Sequence, residues 1–398
     1  MRTRNIRHAR HLFCFSLLIV LCGLLTRSPV ARADGGAPNL AYISGTPTGV
    51  SVIDVRAERI SRLLHVTGDP QDILLSLDGS LLYTTQPSQN QVAVINAQTG
   101  MVVCAAPVPF HPSLLTQTPS GDMLFAAGGT VVQAIDPQSC VVTHRFQVHA
   151  AVAGLTTSFF PGAFPGTVGT YQLWVASRHA LTVFDTGGTE LASFPAPANP
   201  EYLLVPPQSA FLYLTTRQGT VVAFDIGTRA FTTPLLTGGV FGPMDFDDST
   251  GEVYVPDLAH RQLDVLSPLE PTMSAVPNAP ARIIRLSSAP VCVAIASGGQ
   301  LGFVALQDGR VALLDIPGRL VIVTITVGGD PHFIITGLYP PTSASTSSRL
   351  SARPAPALFV RWQLGALVMG TVLLLLGVLG AGLAALRRRR RRGKRSRE

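Results

Sequence analysis

Residues 72–108 read DILLSLDGSLLYTTQPSQNQVAVINAQTGMVVCAAPV, and this stretch decides the fold. Asp72–Leu77 is a short apolar run broken by Ser76-Leu77-Asp78-Gly79, a turn in which glycine supplies the positive φ. Leu81–Thr85 follows, rich in residues that suit a pleated surface. The polar segment Gln86–Asn90 leads into Val92–Asn96, where Asn96 bonds its own backbone two residues on and closes a turn with Thr99-Gly100. Met101–Val108 supplies a fourth strand. The unit is a four-stranded antiparallel meander.

The same unit recurs along the chain. The aromatics Tyr42, Tyr83, Phe125, Trp174, Tyr213, Tyr254 and Phe303 each precede a strand-like run. Those runs end in Asp54, Asn96, Asp136, Asp185, Asp225, Ser267 and Asp315, spaced 42, 40, 49, 40, 42 and 48 residues apart. Pro70, Pro112, Pro200, Pro243, Pro290 and Pro331 open the first strands, and only the unit after His149 lacks such a proline. A period near forty with four strands per unit predicts an all-β, seven-bladed β-propeller, since blades that cannot bury their own faces stack around a ring. The chain enters on a second strand, near Leu40–Ile43, and returns on a first strand, near His332–Leu338. The predicted ring is therefore closed by one blade shared between both ends.

The third strands Val50–Asp54, Leu181–Asp185 and Val221–Asp225, together with Ser76–Tyr83, resemble the YVTN family of β-propeller repeat proteins. These are surface-layer-like seven-bladed propellers, and the resemblance covers about Leu40 to Pro341. The family's turn motif is eroded in most units, so the chain resembles a divergent member. What the resemblance implies is the propeller fold.

The ends read differently. Residues 1–33 carry a basic start, an apolar core at Leu12–Leu25 and Ala31-Arg32-Ala33, the pattern of a cleaved signal peptide. Residues 34–341 form the expected propeller ectodomain and 342–361 a Ser, Thr, Ala and Pro-rich stalk. Leu364–Leu386 holds no charge and as a helix spans roughly 35 Å, enough for a bilayer core, so 362–386 is the expected transmembrane helix. The Arg-rich tail, 387–398, then marks the cytoplasmic side of a single-pass protein in the cell membrane, with the propeller extracytoplasmic. No LPxTG-like box precedes the span; a processing signal of similar outline is the alternative. Gly377, Ala381 and Ala385 fall four apart, a spacing that permits a weak helix-mediated dimer.

The net charge of +7 is a property of those ends. Residues 34–348 hold 12 Arg, no Lys and 22 acidic side chains, a net of −10. Nucleic-acid binding by this domain is disfavoured, because phosphate contacts need a basic face. Three cysteines, Cys104, Cys140 and Cys292, lie beyond the signal. Cys292 is expected as a buried thiol on an inner strand. Cys104 falls on an outer strand and Cys140 at the turn before the next one; a bond between them is possible but not favoured, because those strands diverge at the rim.

Few residues suggest chemistry. The seven histidines beyond the signal form no HExxH and no zinc-spaced cluster, and there is no GxSxG elbow. No catalytic residue, metal or cofactor is therefore predicted. The strand-end Asp residues are expected to cap their own turns. The expected binding locus is the top-face mouth, where repeated loops converge. Its candidate residues are Asp69, His111, Asn199, Glu201, Arg217, Asp330 and His332, with Gln71, Ser113, Arg178, His179, His260, Arg261 and Arg310 beside them. Solvated loop residues explain the same set. Two long loops, Phe159–Thr170 and Pro268–Ala281, fall on the opposite face, and Phe159, Phe160 and Phe164 are expected to fold back over the floor or to meet lipid.

The expected function is a binding or interaction scaffold for an extracytoplasmic protein or polar ligand. The alternatives are a propeller enzyme (a lactonase-like hydrolase or cofactor-dependent oxidoreductase) and a structural surface-layer component.

Overall fold

The computed structural model describes residues 40–160, 171–206, 209–271, 273 and 275–337. All belong to the first of the chain's two compact units, Met1–Thr342. The expected signal peptide, stalk, transmembrane helix and Arg-rich tail lie outside the described residues, as does Phe164. Among the described residues no helix is long and apolar enough to cross a membrane.

Seven antiparallel sheets follow the predicted meander. Blade 2 runs Ile73–Leu75, Leu81–Gln86, Gln91–Asn96 and Val102–Pro107, matching the four segments read from its sequence. Blades 3 and 4 begin at Leu114–Gln117 and Val152–Ser158; blades 5, 6 and 7 begin at Pro200–Leu204, Asp245–Phe246 and Pro290–Ile295. Blade 1 is the shared one. Its first strand, Ile334–Gly337, pairs with Leu40–Thr46, so the two ends of the domain are joined by a β-ladder. First strands touch first strands around the ring and form the wall of an axial channel.

The core explains the forty-residue period. Among the described residues there are seven apolar clusters, and each one bridges two neighbouring blades. Every repeat aromatic sits in the cluster shared with the following blade: Tyr42 between blades 1 and 2, Tyr83 between 2 and 3, and so on to Phe303 between 7 and 1. All seven are at most 2% exposed. Successive side chains of a strand point to opposite faces. In the second strands both faces are buried, so alternation selects a neighbour rather than core or solvent: Tyr42 faces blade 2 while Ala41 and Ile43 face blade 7.

The turns behave as the sequence implies. Gly79 has φ +69° and its N–H donates to Ser76 O. Asp54, Asn96, Asp136, Asp185, Asp225 and Asp315 each accept backbone N–H groups of their own turn, at 2.7–3.0 Å in the shortest contact.

Cys104 and Cys140 form a disulfide, against the expectation from diverging outer strands. Cys140 closes the turn before the outer strand, as expected, but does so with φ +56°. That backbone turns the buried side chain toward blade 2, and the two Cα atoms come within 6.1 Å, inside bonding reach. Cys292 is fully buried and free, as expected, and burial pushes its thiol far up.

Among their described residues, the long loops fold back in part. Phe160 stacks edge-on to Trp174 at 6.5 Å and its N–H donates to Gln172, so it extends the cluster between blades 4 and 5. Phe159 meets Tyr171 yet stays 47% exposed. From the second loop, Leu269 and Val276 pack on the cluster between blades 5 and 6.

Candidate functional site: the axial channel

Because each first strand opens at the same level, the residues just after the opening prolines converge on the axis. They enclose an upper chamber of about 370 Å³ to which all seven blades contribute, through Phe333, Asp72, Leu115, Leu155, Tyr202, Met244 and Val291 in blade order. A lower chamber of about 440 Å³ continues the channel past Asp245 and Gln117. Met244 and Phe333 line both chambers and mark the boundary between them.

Each chamber holds one carboxylate in its wall. Asp72 is 8% exposed; its Oδ2 accepts the Leu115 N–H of blade 3 at 2.8 Å, and its Oδ1 has no partner. Asp245 Oδ2 accepts the Ile295 N–H of blade 7 at 2.6 Å. Burial pushes both carboxyls up to about 7, opposed by the backbone N–H groups they accept. Tyr202, in the upper wall three blades from Asp72, is likewise pushed up to about 12, by burial first and by the Glu201 charge second.

The backbone around Asp245 is irregular for a local reason. The first strand of blade 6 is only two residues long. Pro256 in the second strand and Pro243 just before the first have no N–H to give to a ladder. The segments are held instead by the Gly242 N–H donating to Pro256 O at 3.0 Å.

The candidate residues separate into three places. Asp69, Asp330 and His332 converge on an open groove between blades 1 and 2, where His332 Nε2 lies 4.0 Å from Asp69 Oδ1. His332 also lines the upper chamber, as do Gln71 and Ser113. Glu201 pairs with Arg217 at 3.0 Å on blade 5, and Asn199 serves that loop through its backbone, accepting the Arg217 N–H from a φ of +54°. His111 stands apart, its Nδ1 in hydrogen-bond contact with Pro87 O at 2.8 Å. His260 is tied to the buried Asp257 by a 2.6 Å contact, next to Asp264, whose carboxyl is pushed up to about 6 by burial and then by the Asp257 charge.

Sequence reasoning missed Asp72, Tyr202 and Asp245. A signal was present: each lies two positions after an opening proline, where the other blades carry Leu114, Cys292 and Phe333. A carboxylate at an otherwise apolar inner-wall position is the mark. Among the described residues no group of three His, Cys, Asp or Glu side chains is arranged to hold a metal ion.

No family model and no curated protein matches the sequence, so the YVTN resemblance rests on the motifs alone. Solved structures do match. The chain is similar to Kuenenia stuttgartiensis hydrazine synthase, with a TM-score of 0.56 and 16% identity over 68% of this chain and 91% of that one. It is similar to the β-propeller domain of Myceliophteria thermophila Cps50 (Swd1), at 0.55 and 12% over 69% and 92%. It is also similar to U3-55K, at 0.57 and 14% over 68% and 86%. Similarity at this identity is similarity of fold, and it agrees with the ring described above: a seven-bladed β-propeller.

Proposed function

We propose that the chain is a membrane-anchored extracytoplasmic propeller that works as a binding scaffold, with its ligand at the top of the axial channel. The observation that carries this reading is the upper chamber. It is concave, walled largely by apolar side chains, and set with a few convergent polar groups: Gln71, Asp72, Tyr202 and His332. The export half of the proposal draws on the signal-like residues 1–33 and the apolar 362–386 segment. The Cys104–Cys140 disulfide supports it too, because such bonds persist in oxidising compartments.

A second reading, an enzyme using the same chamber, is favoured by one feature. A buried carboxyl pushed up to about 7, in a chamber that also holds a tyrosine, is a fitting general acid or base. The two readings part in a screen of polar small molecules and peptides against the full-length protein, scored by thermal shift. A stable hit that Val291→Phe abolishes supports the scaffold. A hit consumed over time supports the enzyme, and hits indifferent to Val291→Phe place the ligand elsewhere.

A further inference from the structure

Resting on the chamber as the binding site, we infer that its ligand class is a small organic cation: a protonated amine on an apolar body. The primary observation is the oxygen left over on Asp72. Its Oδ2 is engaged by the Leu115 N–H, while Oδ1 has no partner in a side chain that is 8% exposed. A buried polar atom without a partner costs free energy, more so on a carboxylate, and native structures rarely keep one without use. Asp72 lies in the chamber wall with Oδ1 beneath the surface, so a donor in the chamber meets that oxygen once the side chain turns.

The rest of the wall fits the same class. No Lys or Arg lines either chamber, and His332 of the upper wall is the one basic side chain beside the carboxylates. Asp245 adds a second acid farther down the channel. Leu115, Leu155, Leu203, Met244 and Val291 supply apolar contact for a hydrocarbon body. Tyr202 and Phe333 offer aromatic faces, which attract a cationic nitrogen. The volume of about 370 Å³ suits a small molecule. An anionic ligand would find His332 but would meet the Asp72 carboxylate in repulsion.

The test is calorimetric titration of the full-length protein with phenethylammonium, with the neutral 2-phenylethanol and with the anion phenylacetate. Saturable binding of phenethylammonium is expected, at least about tenfold tighter than the alcohol. Asp72→Asn is expected to erase that preference, while Asp245→Asn, farther along the channel, keeps it. Val291→Phe fills the chamber without touching Asp72 and is expected to abolish binding of every probe. Circular dichroism and melting checks accompany each variant. Equal affinity for the ammonium and the alcohol, or a preference that survives Asp72→Asn, overturns the cation assignment while leaving the chamber as a site. Phenethylammonium binding that survives Val291→Phe overturns both the assignment and the chamber. Absence of binding by phenethylammonium when phenylacetate binds also overturns the assignment, and absence of binding by all three overturns it together with the chamber.

Discussion

The junction between blades 2 and 3 and the junction between blades 6 and 7 begin alike and finish differently. In both, an inner-wall aspartate accepts a backbone N–H from the next blade: Asp72 from Leu115, Asp245 from Ile295. Both also bury a repeat tyrosine, Tyr83 in one and Tyr254 in the other. Outward from there, blades 2 and 3 are joined by Gln117 Nε2 donating to Leu75 O and by the Cys104–Cys140 disulfide. Blades 6 and 7 are joined by Asp248, which accepts from Ser297 Oγ at 3.1 Å and Gly298 N at 2.8 Å. One junction is covalent at its rim and the other is hydrogen-bonded to a carboxylate at its floor. The difference teaches that a ring with one repeated core tolerates different secondary fastenings, because the apolar clusters already set the blade spacing.

If that is so, the largest effects come from the shared part. Tyr83→Ala and Tyr254→Ala each remove a buried ring and are expected to cost about 3–5 kcal/mol, within roughly 1 kcal/mol of each other. Urea unfolding monitored by fluorescence measures both. A much larger loss for Tyr254→Ala, in the blade whose first strand has two residues, would show that the two cores are not equivalent.

Next in size is the fastening unique to blades 2 and 3. The disulfide closes a loop of 36 residues, so the double variant Cys104→Ser, Cys140→Ser is expected to lose roughly 3–4 kcal/mol. Dithiothreitol is expected to lower the melting point of the parent protein and leave the double variant unmoved. A parent protein indifferent to reductant would strike out the disulfide as a stabilising contact.

The acids at the start of both junctions respond to pH in the same sense. Each carboxyl is raised from its ordinary value to about 7 in the folded chain. Their contribution is therefore fully present below the ordinary carboxylate range and is lost as pH rises through about 7. Each carboxyl is expected to withdraw about 2–3 kcal/mol of stability between roughly pH 5 and pH 8, so that Asp72→Asn and Asp245→Asn each remove about half of the slope. Melting scans across that range read it. A slope unchanged in both variants would assign it to other groups.

What the sequence made legible was whatever repeats. The seven aromatics, the capping acids and the shared closing blade follow from strand periodicity and turn chemistry, which are local, and all appear in the structure. The channel wall was harder to read. Its strands are short, three residues in blade 2 and two in blade 6, so no alternation is long enough to mark which side chain faces the axis. Asp72 and Asp245 carry meaning only through N–H groups about fifty residues away or nearly so, in the next blade. Among the candidate residues, His332 reached the chamber because it follows an opening proline, as Gln71 and Ser113 do, whereas His111 precedes one and meets Pro87 instead. The disulfide was disfavoured because outer strands diverge at the rim, whereas the positive φ that turns Cys140 toward blade 2 is not visible in sequence at a non-glycine residue.

The smallest effect is the most discriminating. Asp248 makes two hydrogen bonds to blade 7, and its charge is one of the influences that hold the Asp245 carboxyl up. Asp248→Ala is therefore expected to act in two opposed ways. Loss of the bonds to Ser297 and Gly298 costs about 1 kcal/mol, a typical net value for exposed partners. Loss of the negative charge lets Asp245 ionise more easily, so the pH at which stability declines moves down. Asp248→Asn separates the two, since it removes the charge and keeps a hydrogen-bonding side chain. The midpoint of the stability–pH curve is expected to fall in both variants, and the stability at low pH to fall mainly in Asp248→Ala. Neither change is expected to alter the response to reductant, because that fastening lies on the other side of the ring. A shift in reductant sensitivity on Asp248→Ala would mean that strain passes between the junctions, and that the seven cores are less independent than their packing implies.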